Sequence, residues 1–317
     1  MIEMGFIQEK PLRMIGLHPM MQEITVTDAK PSVTNCRTLL QNLQQICLLH
    51  GQDTAYYKIL FQTIENAVAI LERDDEAFFL LFIEDAIPYM EKYRYEPGIS
   101  YLLQELKAML SNPNCGKITD RALLLDSTAL YEDTFHNKTE KAIKMEKDAL
   151  ALLPEVTAEN AHLVSNLHAN LGGLYKRMNK FDLAKQHMEQ GMMLLEQYGL
   201  TYTNDTVIQA TNYAVLLSDM GQAEQGLNAL EKCAAVVKKY NSDKCLDYAT
   251  VQEAVGYLCL MTGQIKLAEQ HFDVVRSIYR SFYAEEPERL TVKEDEIYQA
   301  FVRTGINIVK TIPKRNK

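Results

Sequence analysis

The 317-residue chain has no tryptophan, and it has fewer basic than acidic residues, with 33 Lys and Arg against 42 Asp and Glu. The formal net charge of −9 disfavours nucleic acid and anionic lipid, because both ligands need a basic face. We therefore expect no nucleic acid and no membrane as a partner. Long hydrophobic runs are also missing, and charged residues such as Glu3, Lys10 and Arg13 interrupt the beginning of the sequence. Without a transmembrane run or a secretory signal, the chain is expected to be cytoplasmic.

Cysteine pairs at metal-binding spacing are absent. None of the six cysteines belongs to a CxxC motif, and most of them fall within apolar helical stripes. Such cysteines behave as small, reduced core residues of a cytosolic protein. We therefore expect no disulfide and no metal site among Cys36, Cys47, Cys115, Cys233, Cys245 and Cys259.

Catalytic signatures are missing as well. The sequence contains no HExxH, GxSxG or GxGxxG motif, and its seven histidines are scattered. The segment 116–119 matches part of a phosphate-binding loop, but Ser111 occupies the place of the first glycine. Ile118 occupies the place of the serine or threonine that must follow the lysine. The sequence therefore predicts a protein that is not an enzyme and holds no cofactor.

What the sequence does contain is a pattern that recurs every 42 residues between positions 165 and 305. In each copy, one position of the first helix is small, one position of the second helix is small, and a third position is bulky and apolar. These positions are Gly172, Ala214 and Gly256, then Ala184, Gly226 and Ala268, then Met188, Leu230 and Phe272. The turn between the two helices keeps the same step, at Asn179, Gly221, Gly263 and Gly305. A constant period of this size indicates a stacked array of helical hairpins.

The apolar residues around these positions follow helical spacing. Leu167, Leu171, Leu174 and Met178 lie at i, i+4, i+7 and i+11, so they form one stripe of a helix. A glycine inside a helix costs about 1 kcal/mol relative to alanine, and Gly172 therefore needs a packing reason. Small side chains let two helices approach closely, so we predict close packing within each hairpin.

The motif Leu171-Gly172-x-x-Tyr175, followed by Ala184 and Met188, resembles the tetratricopeptide repeat, whose usual period is about 34 residues. The longer period resembles the extended-helix variety of that repeat. HEAT repeats, with a period of about 40 to 47 residues, are the alternative that length allows, but the small residues in both helices favour tetratricopeptides. For residues 31–317 the resemblance implies an all-α fold, a right-handed superhelix of tetratricopeptide-like helical hairpins with a period of about 42 residues.

Residues 1–30 do not follow this pattern, and segments 5–9 and 12–17 are predicted to pair as a small β-hairpin. This hairpin, followed by Leu17-His18-Pro19, resembles the end of the winged-helix domain in STAND-class signalling NTPases. The resemblance implies that the repeats are the sensor region of such a regulator, with an upstream NTPase domain in the native chain and Met1 as an internal boundary. An irregular N-terminal cap is the alternative.

In a stacked array, the first helices line a concave groove that usually binds extended peptides or partner helices. Asn170 and Asn212 are 42 residues apart on one row of this groove, and an amide side chain can both donate to and accept from a peptide backbone. The alternative is that they are simply solvated. Counted from the motif, the groove candidates are Asn166, Asn170, Lys176, Arg177, Thr211, Asn212, Glu253 and Tyr257.

Two basic residues in this set allow two interpretations. Lys176 and Arg177 could bind an acidic group of a ligand, or they could pair with Asp182 and Glu189 nearby, and we favour the pairing. The sequence as a whole predicts a non-catalytic module that recognises a protein or peptide, as the sensor array of a STAND-class regulator. A free-standing scaffold or peptide receptor is the alternative.

Overall fold

The computed structural model describes residues 7–10, 14–17, 30–49, 54–200, 202–284 and 287–303. The chain divides into two compact units, Met1–Lys141 and Ala142–Lys317, here called unit 1 and unit 2. The domain boundary predicted at residue 30 stays a prediction. The predicted turn at Gly305 and the Leu17-His18-Pro19 segment beyond its first residue lie outside the described residues.

Unit 1 begins with two short strands, β1 (Ile7–Lys10) and β2 (Met14–Leu17), which pair antiparallel with Ile7 opposite Leu17. Among the described residues five helices follow, and a sixth crosses into unit 2. Their bounds are α1 Arg37–Leu49, α2 Thr54–Ile70, α3 Glu76–Lys92, α4 Glu96–Leu110, α5 Ile118–His136 and α6 Thr139–Leu152. The core between them is rich in aromatic rings: Phe61, Phe79 and Phe82 are fully buried. Burial of these large side chains is the main favourable contribution to the stability of the unit.

In the part of unit 2 that the structure describes, seven further helices alternate between a first and a second helix of a hairpin. Their bounds are α7 Ala161–Arg177, α8 Phe181–Gln197, α9 Asn204–Asp219, α10 Ala223–Tyr240, α11 Leu246–Met261, α12 Ile265–Phe282 and α13 Pro287–Arg303. Helices α7 and α8, α9 and α10, and α11 and α12 pack as hairpins. The first helices α7, α9, α11 and α13 also contact one another in that order.

The turns inside the hairpins explain part of the 42-residue step. Asn179, Gly221 and Gly263 have φ angles of 57°, 75° and 75°, in the left-handed region that ends a helix. Glycine adopts this conformation without steric cost, and asparagine is among the few other residues that tolerate it. The turn chemistry therefore fixes where each first helix stops.

The small residues lie where the helices of each hairpin come closest, as the sequence predicts. A Cβ atom added to Gly172 would lie 2.5 Å from Met188 Cγ and 3.1 Å from the Ala184 carbonyl oxygen. At Gly226 the added atom would lie 2.8 Å from the Ala214 carbonyl oxygen. The prediction of close packing is therefore confirmed, and larger residues here would force the helices apart.

Within the described ranges, none of the helices is both long enough and apolar enough to cross a lipid bilayer.

Candidate functional site

The first helices of unit 2 share one face that is open to solvent, and we call it the groove face. Residues at equivalent register positions line it in rows with a step of 42 residues. None of their side chains belongs to the buried core, and they are either half-buried or exposed. The four rows are Ala169, Thr211, Glu253, Asp295; Asn170, Asn212, Ala254, Glu296; Gly173, Val215, Tyr257, Gln299; and Arg177, Asp219, Met261, Arg303.

Between α7 and α9 the groove face opens into a first cleft of about 760 Å³. Three predicted site residues, Lys176, Arg177 and Asn212, line this cleft together with Asp219. A Cβ atom added to Gly173 would meet nothing within 4 Å, so the floor of the cleft is open there. The cleft can therefore admit a backbone or a small side chain.

The charge pairing in the first cleft differs from the predicted one. Lys176 Nζ lies 2.9 Å from Asp219 Oδ2 on the neighbouring first helix. The predicted pairing of Lys176 with Asp182 or Glu189 is wrong, because the lysine reaches across to α9 rather than along its own hairpin. Glu189 instead accepts a hydrogen bond from the Tyr213 hydroxyl at 2.6 Å.

A second cleft of about 550 Å³ lies at the equivalent position between α11 and α13. It is lined by the predicted residues Glu253 and Tyr257 and by Asp295 and Glu296, among others. The Glu253 carboxylate accepts a hydrogen bond from the Tyr279 hydroxyl at 2.9 Å. Burial raises the pKa of Glu253, and this hydrogen bond opposes the rise.

The remaining predicted residues have contacts within unit 2. Asn166 Nδ2 donates to Asp205 Oδ2 at 3.2 Å, and Asn166 Oδ1 accepts from Gln209 Nε2 at 3.1 Å. Both ends of this amide therefore join α7 to α9. The Thr211 hydroxyl donates to the Ile208 carbonyl oxygen of its own helix at 2.8 Å, while Asn170 is half-buried on the row of Asn212.

Sequence analysis missed the residues that α13 contributes to the second cleft. Asp295 and Glu296 are one 42-residue step beyond Glu253 and Ala254, so extending the register by one copy finds them. The sequence predicted the basic residues Lys176 and Arg177 of the first cleft, but it did not predict Asp219, which pairs with Lys176. Asp219 is 42 residues beyond Arg177 and carries the opposite charge.

Sequence analysis also missed a histidine pair inside the α7/α8 hairpin. His168 Nδ1 and His187 Nδ1 lie 2.9 Å apart, and burial together with the charge of the neighbouring His187 lowers the pKa of His168 to about 4. The register positions 84 residues later hold Gln252 and His271, which are joined at 2.6 Å. The recurrence of a polar pair at one packing position indicates a structural contact between the two helices of a hairpin.

Buried carboxyl groups are the main electrostatic feature of unit 1. Burial raises the pKa of Glu84 to about 8, and the nearby carboxylate of Asp120 adds to this shift. Burial also raises the pKa of Glu91 to about 8, and the nearby carboxylate of Asp126 adds to that shift. Asp85 accepts a hydrogen bond from Gln44 Nε2 at 2.7 Å. Within the described ranges, no group of three or more histidine, cysteine or acidic residues could hold a metal ion.

Comparison with known proteins agrees with this geometry. Residues 206–281 match the tetratricopeptide repeat family. Among curated proteins, no sequence matches this chain.

Three solved structures are similar to the chain. BtubC (BKLC) from P. vanneervenii is 16% identical, with a TM-score of 0.55 over 73% of this chain and 93% of that one. The TPR-like repeats attributed to a kinesin light chain of Podosopora anserina are 13% identical, with a TM-score of 0.52 over 67% and 100%. The apo form of RapI is 13% identical, with a TM-score of 0.52 over 84% and 72%. At these identities the similarity establishes the fold, and the chain is in the all-α class of superhelical tetratricopeptide-like repeat proteins.

Proposed function

We propose that unit 2 is a non-catalytic recognition module that binds an extended peptide along its groove face. The observation that carries this proposal is the pair of open clefts at equivalent register positions, one lined by Lys176, Arg177 and Asn212 and the other by Glu253 and Tyr257. Repeat arrays commonly use such extended surfaces to bind other proteins.

The residue types in the clefts suit a peptide better than a compact small molecule. Asn212 is exposed, and its amide can donate to a backbone carbonyl and accept from a backbone N–H at the same time. Tyr257 is half-buried and offers a rigid ring with a polar tip, which is a frequent anchor in interfaces. An extended chain presents backbone groups at regular intervals, as the repeat presents its side chains.

A display library of random peptides of about ten residues tests the proposal. Peptides selected on the purified chain are expected to bind the double variant Asn212→Ala plus Tyr257→Ala at least about tenfold more weakly. The matched control is Lys232→Ala, at an exposed position on the second helix α10, and it should bind as the wild type does. Selected peptides that bind all three proteins equally would contradict the proposal.

The more specific proposal is that this module is the sensor array of a cytoplasmic STAND-class regulator, in which ligand binding releases an upstream NTPase from autoinhibition. Its support is the strand pair β1 and β2 ahead of the helices, together with the resemblance of Leu17-His18-Pro19 to the end of a winged-helix domain. A free-standing scaffold or peptide receptor remains the alternative. The genomic sequence in frame before Met1 distinguishes them, since only the sensor requires a nucleotide-binding domain to be encoded there.

A further inference from the structure

A smaller pocket, which we call the turn pocket, adjoins the first cleft between the start of α8 and the end of α9. Its volume is about 430 Å³, and it is lined by three large apolar side chains and three polar ones: Phe181, Leu183 and Met220, and Asn179, Lys180 and Asp182. Asn179 and Phe181 also line the first cleft, so the two cavities are continuous. A ligand that lies in the first cleft can therefore extend a side chain into the turn pocket.

The repeat does not require the apolar residues of the turn pocket. One 42-residue step later, the equivalent positions hold one small and two polar residues: Ala223, Gln225 and Thr262. The helix ends are nevertheless the same, because α8 and α10 begin one step apart and α9 and α11 end one step apart. The helical geometry therefore does not explain why Phe181, Leu183 and Met220 are large and apolar.

The turn pocket keeps apolar surface in contact with water. Leu183 is 41% exposed, and Phe181 and Met220 are half-buried. Covering such surface with another apolar side chain is favourable, and the unbranched thioether chain of Met220 can adapt to side chains of different shape. Lys180 and Asp182 are exposed, so an apolar side chain can enter without removing their charged groups from water.

We infer that the peptide of the proposed function inserts one large apolar side chain, such as leucine, methionine or phenylalanine, into the turn pocket while its backbone lies in the first cleft. This inference rests on the proposed function and adds a specificity-determining pocket to it. Asn212 in the first cleft can bind the backbone of any sequence, whereas the turn pocket distinguishes one side chain from another. A polar side chain would lose hydrogen bonds to water on entering the pocket and would be rejected.

The peptides selected from the random library test the inference, with dissociation constants measured by fluorescence anisotropy. We expect them to share a large apolar residue, and its replacement by alanine should weaken binding to the wild type by about tenfold or more. Leu183→Gln plus Met220→Thr, which introduces the residues found one step later, should weaken binding of the unchanged peptide by a similar factor.

Combining the two changes shows whether the apolar side chain and the pocket touch. The alanine peptide should bind the wild type and Leu183→Gln plus Met220→Thr within about twofold of each other, because the contact is already lost. A double variant that acted only by disturbing the fold would weaken binding of the alanine peptide as well.

Leu267→Gln plus Met193→Thr provides the matched control, because it makes the same two substitutions at exposed positions of α12 and α8 that line neither the turn pocket nor the two clefts. It should leave binding within about twofold of the wild type. Selected peptides without a common apolar residue, or an alanine peptide that the pocket variant weakens further, would overturn the inference while leaving peptide binding intact. If Asn212→Ala plus Tyr257→Ala also fails to weaken binding, the proposed function itself is overturned.

Discussion

Unit 1 and unit 2 illustrate two ways of filling the space between helices. In unit 1 the core is built from large rings, with Phe61, Phe79 and Phe82 fully buried. In unit 2 the closest helix contacts are made at small residues such as Gly172 and Gly226, where even a methyl group would overlap a neighbour. Unit 1 should therefore be sensitive to the removal of volume at these rings, and unit 2 to the addition of volume at these glycines.

Four acidic residues, two in each unit, lie in contrasting surroundings. In unit 1, Glu84 and Glu91 are largely buried beside other carboxylates, which raises the pKa of each to about 8. In unit 2, Asp219 is held by Lys176, and Asp205 is held by His162 Nε2 at 2.6 Å. Removing Glu84 or Glu91 should therefore stabilise the fold, whereas removing Asp205 or Asp219 should destabilise it.

The largest effect is expected from truncating a ring in unit 1. Phe79→Ala removes a fully buried side chain, so it should lower the free energy of unfolding by about 3–5 kcal/mol. Urea denaturation followed by circular dichroism measures the change. Phe282→Ala on α12 is the control, because its ring is 59% exposed and its loss should cost far less. If Phe79→Ala and Phe282→Ala lowered the free energy of unfolding equally, burial of the Phe79 ring would not be what stabilises unit 1.

The converse experiment adds one methyl group to unit 2. Gly226→Ala places a Cβ atom 2.8 Å from the Ala214 carbonyl oxygen, a backbone atom that cannot move away alone. We expect a loss of about 1–3 kcal/mol despite the better helix propensity of alanine. Gly173→Ala is the control, since its Cβ atom would meet nothing within 4 Å, and it should gain about 0.5–1 kcal/mol. If Gly226→Ala instead raised the free energy of unfolding, close packing would not be the reason for a glycine at this position.

This difference explains how much of the fold could be predicted from the sequence. In unit 2 small residues recur at the same packing position of each hairpin. The 42-residue step of Ala184, Gly226 and Ala268 therefore predicts the hairpins, the turns and the groove face. In unit 1 the fully buried positions include large side chains such as Phe61, Phe79 and Phe82, and several apolar residue types can occupy such positions. Its hairpins consequently leave no fixed step in the sequence, and apolar stripes alone do not say which helices meet.

The third prediction concerns the buried glutamates of unit 1. The pKa of Glu91 is about 8 in the folded chain and has an ordinary value of 4.5. Between these values the folded state keeps a proton that the unfolded state has lost, so stability falls as the pH rises through this window. Glu91→Gln removes the group that titrates, and the fall between pH 5 and pH 8 should shrink by about 3 kcal/mol.

The control for this pH dependence is Glu72→Gln, at an exposed position of the same unit. Because this side chain is exposed, the substitution should change the free energy of unfolding by less than about 0.5 kcal/mol. If the free energy of unfolding depends on pH equally in the wild type and in Glu91→Gln, Glu91 is ionised without cost in the folded chain. The contrast with the paired carboxylates of unit 2 would then disappear.

The candidate site was only partly predictable, for related reasons. The positions of Lys176, Arg177, Asn212, Glu253 and Tyr257 on the groove face follow from the register, and the structure groups them in two clefts. Ion pairs do not follow from the register, because a long side chain pairs with whichever charge the distance between helices brings within reach. The burial of Glu91 depends in the same way on the packing of α3, which no local pattern specifies.

The smallest effect is expected for the ion pair of the first cleft. Lys176 and Asp219 are both partly exposed, so a double-mutant cycle of Lys176→Ala and Asp219→Ala should give a coupling of about 0–1 kcal/mol that weakens with added salt. The two units also differ in the direction of the effect on the free energy of unfolding. Asp219→Ala should lower it slightly, whereas Glu91→Gln should raise it at pH 8. A coupling above about 3 kcal/mol would show that this pair is a structural clamp between α7 and α9.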